Sequence, residues 1–396
     1  MRVIISVGGK WHMDKLAVQC ERYGLLEKFI TSYPKFSIDK QVPREKIKTF
    51  LWHQIGAQLV RRLSLNEDIG EKLKILFDKK VSKYLNGENM DIFVGFSGFC
   101  CGSIEVAKSK NAIAIIDRGS SHISLHCRLL EEEYKIWGVK FSRQLWDKRQ
   151  EREIEEFNKA DAVVVPSQFA YDSFIRENYP KEKLYKVSYG VDKRNCFTET
   201  IKKENCFRIL SVGMVTLRKG QQYLLEAVRS IKKKNPFRKI ELYLIGPVFS
   251  DIEKIVEKNI DVITYIGRKS HKEVIKLFKD CNVMVLASIE EGLARVILEA
   301  MVSGLPVIAT ENTGASDVIK DGENGFIVPI RNPKAIEEKI QLLLESPELA
   351  FRIGYNARET VTKNYTWNDY GDSIIKVYKT LLSKKSYISS INQSSC

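Results

Sequence analysis

Short apolar runs alternate with helix-length amphipathic segments along almost the whole chain. Val3–Val7, Ile92–Gly95, Ala112–Ile116, Ala162–Val165 and Leu184–Ser188 are brief and rich in Val and Ile, the pattern of parallel strands buried on both faces. Between them, Asp14–Tyr23, Gln54–Leu65 and Phe169–Asn178 repeat apolar residues at helical spacing. Together they predict one doubly wound α/β unit. The rhythm restarts at Arg208–Val212 and runs through Ile240–Ile245, Val262–Ile266, Val283–Ala287, Pro306–Ala309 and Gly325–Val328. Helices are predicted over Gln221–Lys233, His271–Phe278, Arg295–Ser303 and Lys334–Leu344. The polar, aperiodic stretch Asp192–Asn205 reads as a linker. The prediction is an α/β chain of two Rossmann-like units facing a cleft, spanning 1–195 and 196–360. In 361–396 that follow, Trp367–Leu382 is a helix returning to the first unit and Ser383–Cys396 a frayed polar tail.

Composition narrows the class without naming a ligand. The chain has 396 residues, 44% of them hydrophobic, and so can bury a sizeable core, which excludes disorder. Its net charge of +14 asks for an anionic partner, and nucleic acid, phospholipid headgroups and sugar nucleotides all qualify. The excess divides evenly between residues 1–200 and 201–396, with no basic arm and no recognition motif, so nucleic acid is not expected. The eight cysteines contain no Cys-x-x-Cys pair and read as reduced thiols of a cytoplasmic protein. The first apolar run is too short for a signal peptide, and no run approaches the roughly 20 residues that span a bilayer. Any membrane contact would be peripheral. Its best candidate is Lys46–Leu63, where Phe50, Leu51, Trp52, Ile55, Leu59 and Val60 accompany Arg61 and Arg62. That stripe reads as a core-facing helix in preference to a lipid anchor.

The densest chemical signal is Ser288–Thr310. A predicted strand ends at an acidic loop, a helix opens near Leu293, Gly304 stops it, and Pro306 begins the next strand. Unpaired N–H groups near Gly292–Arg295 form a phosphate seat beyond the strand ends. Glu291 and Glu299 would lie about 12 Å apart along that helix, too far for two carboxylates working one bond and suited to two parts of an extended ligand. An N-terminal dipole acid plus an unrelated surface acid explains the spacing equally well. In Val212–Ala227, Arg218 and Lys219 precede a helix start and can neutralise a diphosphate. His122 and His126 are four apart, yet no third ligand accompanies them and no metal site is expected. There is no Asp-x-Asp, no phosphate-loop motif and no Gly-x-Gly-x-x-Gly after the first strand, which removes the main support for ATPase and dehydrogenase readings.

The Ser288–Thr310 block resembles the Glu-x7-Glu signature of retaining glycosyltransferases of family 4, the glycosyl transferases group 1, which have the GT-B fold. The resemblance is strongest over about residues 160–380. It extends through Val163–Ala170, Val187–Asp192, Ile266–Arg268 and Thr313–Pro329. It implies that Glu291 touches the donor sugar and Glu299 the nucleotide ribose, that Gly213, Gly267 and Arg268 line the nucleotide, and that Gly8 and Gly9 face the diphosphate. A tight turn needing positive φ explains Gly8 and Gly9 as well. His122 is the preferred match to a family histidine on the donor sugar, with a plain helix start as the alternative, while Lys10–Ala17 could present His12 to the cleft. Lys219 matches the family lysine. The family arginine is replaced by Met214, and Arg218 is the proposed substitute. Leu293 and Ala294 stand where the family has Phe-Gly beside Gly292. The activity implied is a metal-independent transfer from a UDP- or GDP-sugar to a glycan, a glycoprotein-linked glycan or a lipid-linked acceptor. A sugar-nucleotide epimerase, a sugar phosphorylase and a non-catalytic binding protein are the alternatives.

Overall fold

The computed structural model describes residues 1–9, 11–62, 67–195 and 206–394. Lys10, the end of the predicted helix Gln54–Leu65, most of the predicted linker and the last two residues lie outside the described residues. The first unit runs β1 (Val3–Val7), α1 (Met13–Arg22), β2 (Leu26–Thr31), β3 (Ile47–Thr49), α2 (Leu51–Arg62), α3 (Glu67–Leu85), β4 (Ile92–Phe96), α4 (Cys101–Ser109), β5 (Ile113–Asp117), α5 (Ile123–Ile136), α6 (Arg143–Lys159), β6 (Ala162–Val165), α7 (Gln168–Arg176) and β7 (Leu184–Lys186). The second runs β8 (Phe207–Val212), α8 (Gln221–Lys234), β9 (Ile240–Ile245), α9 (Glu253–Lys258), β10 (Ile263–Gly267), α10 (His271–Asp280), β11 (Val283–Leu286), α11 (Arg295–Val302), β12 (Val307–Thr310), β13 (Phe326–Val328), α12 (Pro333–Glu345) and α13 (Pro347–Asn364). A long last helix, α14 (Trp367–Ser394), closes the chain.

The strands form two sheets, ordered β3-β2-β1-β4-β5-β6-β7 and β10-β9-β8-β11-β12-β13. Every strand pair is parallel. Central strands β1, β4 and β5 are buried at every position, which is why they read as continuous apolar runs. Strands β2 and β3 escaped the sequence pattern for a physical reason. β2 carries Glu27 and Lys28, and β3 is an edge strand of three residues that exposes Lys48.

Two expectations are corrected. The tail predicted to fray from Ser383 continues α14 to Ser394. Of the stripe predicted to face the core, Phe50 does pack there, but Leu51, Trp52, Ile55 and Leu59 are 42%, 36%, 57% and 49% exposed. Helix α14 does return to the first unit, where Tyr370 and Tyr378 are buried and Asp372 accepts hydrogen bonds from Arg22 and Tyr23.

Candidate functional site

Parallel strands deliver all their outgoing loops to one edge, and the loops beyond β11 and β5 meet there. Ser288–Glu291, after β11, is held by its own backbone: Glu291 N–H donates to the Asn312 carbonyl at 2.8 Å, and Asn312 Nδ2 to the Ile289 carbonyl at 3.1 Å. A second loop is pressed onto it. Gly220 has φ +68°, and a Cβ there would lie 1.8 Å from the Ala287 carbonyl oxygen, so only glycine lets the turn before α8 reach the end of β11. That close approach lets Ile289 N–H bond the Arg218 carbonyl at 2.8 Å and puts two cations beside two acids.

Arg218 Nη1 donates to Glu291 Oε1 and to the Glu290 carbonyl, each at 2.7 Å, and Lys219 ion-pairs with Glu291. Burial by itself would raise the Glu291 carboxyl, but the charges of Arg218 and Lys219 outweigh it and hold it below its ordinary value. Gly213 has φ +139°, and a Cβ there would meet the end of Lys219. Next to the cluster, α11 begins at Arg295 behind Ala294, which offers no side-chain cap. Ile297 N–H closes back on the Ala294 carbonyl at 2.9 Å, so the Arg295 and Val296 N–H groups are the ones left without a capping side chain to meet an anion.

Glu290 is the carboxylate at which the two units meet. It is fully buried and accepts from Ser120 Oγ at 2.6 Å and from Ser121 N–H and Oγ at 2.9 and 2.8 Å, while His126 Nδ1 lies 2.9 Å from its other oxygen. Burial opposes its charge, and His126, Arg218 and Ser120 overcome the opposition and hold it well below the usual carboxylate range. Gly292 seals the junction. A Cβ there would lie 2.4 Å from the Gly119 carbonyl oxygen of the first unit.

Glu299 has separate partners, with His271 Nε2 3.1 Å and Arg295 Nη2 3.7 Å away. Burial raises its carboxyl, and the His271 hydrogen bond and the Arg295 charge pull it below the ordinary value. His271 opens α10, three residues after the exposed Arg268, which follows Gly267, the last residue of β10, at φ +74°. The two acids of the Glu-x7-Glu pair thus sit in different clusters. Leu293 and Ala294 are both buried, whereas Met214 is 42% exposed.

Three sequence expectations change in the first unit. His122 is buried with its ring against Phe174 and Phe157, and it caps α5 by accepting from Ser124 N–H. The histidine that reaches the acidic loop is His126, on Glu290, so the two histidines do not converge. His12 is 2% exposed, with Nε2 3.0 Å from Asp117 and its ring against Tyr189, closed off from the cleft. Gly8 and Gly9 do not adopt positive φ. A Cβ on either would come within 2.2 Å of a ring, Phe99 at Gly8 and Trp11 at Gly9. The Trp11 carbonyl in turn accepts from Arg295 Nη1 at 3.1 Å, linking this loop to the start of α11. Sequence reasoning missed Glu290 and His271, and assigned no role to Ser120 and Ser121. Their only signal was nearness in sequence to the acidic loop, the nucleotide loop and the end of β5.

Beyond the carboxyl end of β4, between α3, α4 and α6, lies a cavity of about 510 Å³ lined by Glu71, Lys74, Asp78, Phe99, Arg152 and Glu156 among others. Burial pushes Glu156 up to about 8, against hydrogen bonds from the Cys100 and Gly98 N–H groups. A carboxyl raised by burial beside a concave site with charged residues in its lining is a feature of ligand pockets.

Residues 192–360 match the family model described as Glycosyl transferases group 1. An uncharacterized glycosyltransferase of Methanocaldococcus jannaschii is 29% identical over 223 residues, covering 56% of this chain and 60% of that protein. Alpha-D-kanosaminyltransferase of Streptomyces kanamyceticus is 27% identical over 236 residues, covering 56% and 61%. The chain therefore spans about three fifths of the length of these curated relatives. Among solved structures, sucrose-phosphate synthase from Thermosynechococcus elongatus superposes with a TM-score of 0.73 at 18% identity, over 97% of this chain and all of that one. HepE of Anabaena in complex with UDP-glucose does so at 0.70 and 15% identity, over 96% of this chain. The fold is that of the GT-B glycosyltransferases, two parallel-sheet Rossmann-like units.

Proposed function

We propose that this chain is a retaining glycosyltransferase that moves a sugar from a UDP- or GDP-sugar to a glycan or lipid-linked acceptor, with side-chain and backbone charge in place of a metal. The observation that carries the reading is the cluster of Arg218, Lys219, Glu291 and the uncapped start of α11, at the edge where the two units meet. The match to Glycosyl transferases group 1 supports it, as does the UDP-glucose complex of a structural neighbour.

The chemistry follows from charge. A departing nucleoside diphosphate gains negative charge as the glycosidic bond breaks, and preorganised cations and N–H groups stabilise that gain. Arg218 and Lys219 neutralise the diphosphate, and the N–H groups around Gly292, Leu293 and Ala294 hold its oxygens. Glu291 is held by the same two cations. A diphosphate that takes them over releases the carboxylate to the hydroxyls of the donor sugar. Glu290 acts as a positioning residue, because it fixes Arg218 through hydrogen bonds that include the first unit. Glu299, with His271, holds the ribose, and Gly213, Gly267 and Arg268 border the nucleotide. His126 takes the role that the resemblance gives to His122. The acceptor enters along the first unit, by the cavity beyond β4, and attacks from the face the diphosphate leaves.

The test is a thermal-shift screen of UDP- and GDP-sugars, followed by nucleoside diphosphate release by wild type and Glu291→Ala. The expected result is stabilisation by one nucleotide class, and a loss of about 10²- to 10³-fold in turnover for the variant. Absence of a shift with every nucleotide sugar rejects the proposal. Release that proceeds without any acceptor, with epimerised sugar as product, selects the epimerase alternative. Retention is read from the anomeric configuration of the product by NMR.

A further inference from the structure

Helices α2 and α3 carry apolar surface that the fold does not use. Leu51, Ile55 and Leu59 recur at four-residue spacing and so form one row along α2. They are 42%, 57% and 49% exposed, with Trp52 beside them at 36%. The other side of α2 seats on α3, where a Cβ added at Gly56 would lie 3.0 Å from Leu73. On α3, Ile69 and Leu76, two turns apart on one face, are 38% and 48% exposed, while Ile75 lines the cavity beyond β4. Single exposed apolar residues are ordinary, but a contiguous set on two packed helices marks an interaction surface.

Charge selects the occupant. Residues 46–66 contain Lys46, Lys48, Arg61 and Arg62 and no Asp or Glu; Lys46 is spent on Glu21 at 2.6 Å, which leaves the other three as the excess. The exposed positions of α3 continue with Lys72, Lys79, Lys80 and Lys83. Two acids of α3 turn inward, Glu71 onto Lys74, Arg149 and Arg152, and Asp78 onto Gly102 and Ser103 of α4, while the partly exposed Asp68 is neutralised by Lys148 of α6. An apolar row edged by a Trp and by lysines matches an anionic bilayer, with Leu and Ile in hydrocarbon, the indole at headgroup depth and the lysines on phosphates. A second copy of the chain would set lysines against lysines.

We infer that the α2–α3 pair docks on an anionic lipid bilayer. Helix α2 starts directly after β3, at the sheet edge that also carries Gly8–Gly9 and the cavity beyond β4, so docking sets the mouth of the cleft against the lipid. The corollary, that the acceptor is one displayed at a lipid surface, rests on the transferase reading. The docking itself does not.

The experiment floats the full chain with vesicles of phosphatidylcholine alone and of phosphatidylcholine with phosphatidylglycerol in equal parts. At about 0.1 M salt the anionic vesicles are expected to carry at least about tenfold more protein. Ile55→Asp with Leu59→Asp is expected to lower that binding about tenfold or more at an unchanged melting temperature. Lys79→Glu with Lys80→Glu is expected to remove most of the preference for anionic lipid while also melting like wild type. The proposal is overturned by no retention on anionic vesicles, by equal binding of wild type and both variants, or by a wild-type dimer that the Ile55/Leu59 variant turns into a monomer. Neither variant touches the Glu291 cluster, so donor hydrolysis in solution stays at the wild-type rate. Failure of wild type to turn over any nucleotide sugar counts against the transferase reading and leaves the docking result standing.

Discussion

His122 and His126 share one helix and differ in what surrounds them. His126 faces an ionised carboxylate, whereas burial, then the Arg118 charge, push His122 down to about 4. The unfolded chain, with a histidine value near 6.5, takes up that proton first. The contribution of His122 is therefore intact above about pH 6.5 and is lost progressively as pH falls toward 4, by about 3 kcal/mol at most. His122→Asn keeps a capping side chain and removes the titration. Urea unfolding is expected to show the variant gaining on wild type by up to that amount between pH 6.5 and 4, with donor affinity unchanged. Parallel curves would rule out a buried neutral His122. Glu156, pushed up to about 8, slopes the other way with pH in both proteins and cancels in the difference. The sequence could place both histidines in the loop after β5. It could not say which one points at the acids, because a one-turn offset is decided by the packing of α5 against Phe157 and Phe174.

At the level of elements, the strand–loop–helix order was legible because parallel strands buried on both faces must be apolar throughout. The loops were legible in residue type and not in contact. Gly292 is the sharpest case. Its φ is ordinary, and it is required by the Gly119 backbone of the other unit, not by its own turn. Gly292→Ala is expected to hold the loops after β5 and β11 apart, lowering kcat/KM for the proposed transfer about tenfold or more, while the melting temperature falls by only a few degrees. Steady-state kinetics beside a thermal melt checks this, and wild-type kinetics in the variant would show that the contact is dispensable. The α2 stripe teaches the complementary lesson. Helical spacing located an apolar row correctly, and it carried no information about whether a neighbour covers it.

For the molecule as a whole, the two units are joined by buried polar contacts as well as by apolar clusters that continue from one unit into the other. Glu133 of α5 is fully buried and accepts from Trp137 Nε1, Gln222 Nε2, Tyr223 OH and Arg331 Nε at 2.9, 2.8, 2.7 and 2.7 Å. Three of these donors belong to the second unit. Removing the carboxylate takes the acceptor from the buried Tyr223 hydroxyl, while Arg331 keeps Glu132 and the Leu129 carbonyl, so Glu133→Ala is expected to cost about 1–3 kcal/mol, read by urea unfolding. A cost below about 1 kcal/mol would show that the hub is not holding the units together. Nothing in the sequence marks Glu133, since it sits in a run of three glutamates that reads as solvated surface. The sequence by itself determined the α/β class, the two-unit plan and the Glu-x7-Glu and Arg-Lys motifs, because burial on both faces and loop chemistry are local properties written in residue order. Only the tertiary structure decided that Glu290 is the shared carboxylate, that His126 and not His122 meets it, and that the α2 row faces outward. Those outcomes depend on which surfaces distant segments bring together, and hydrogen-bond geometry and steric fit across two units leave no period or spacing in the chain.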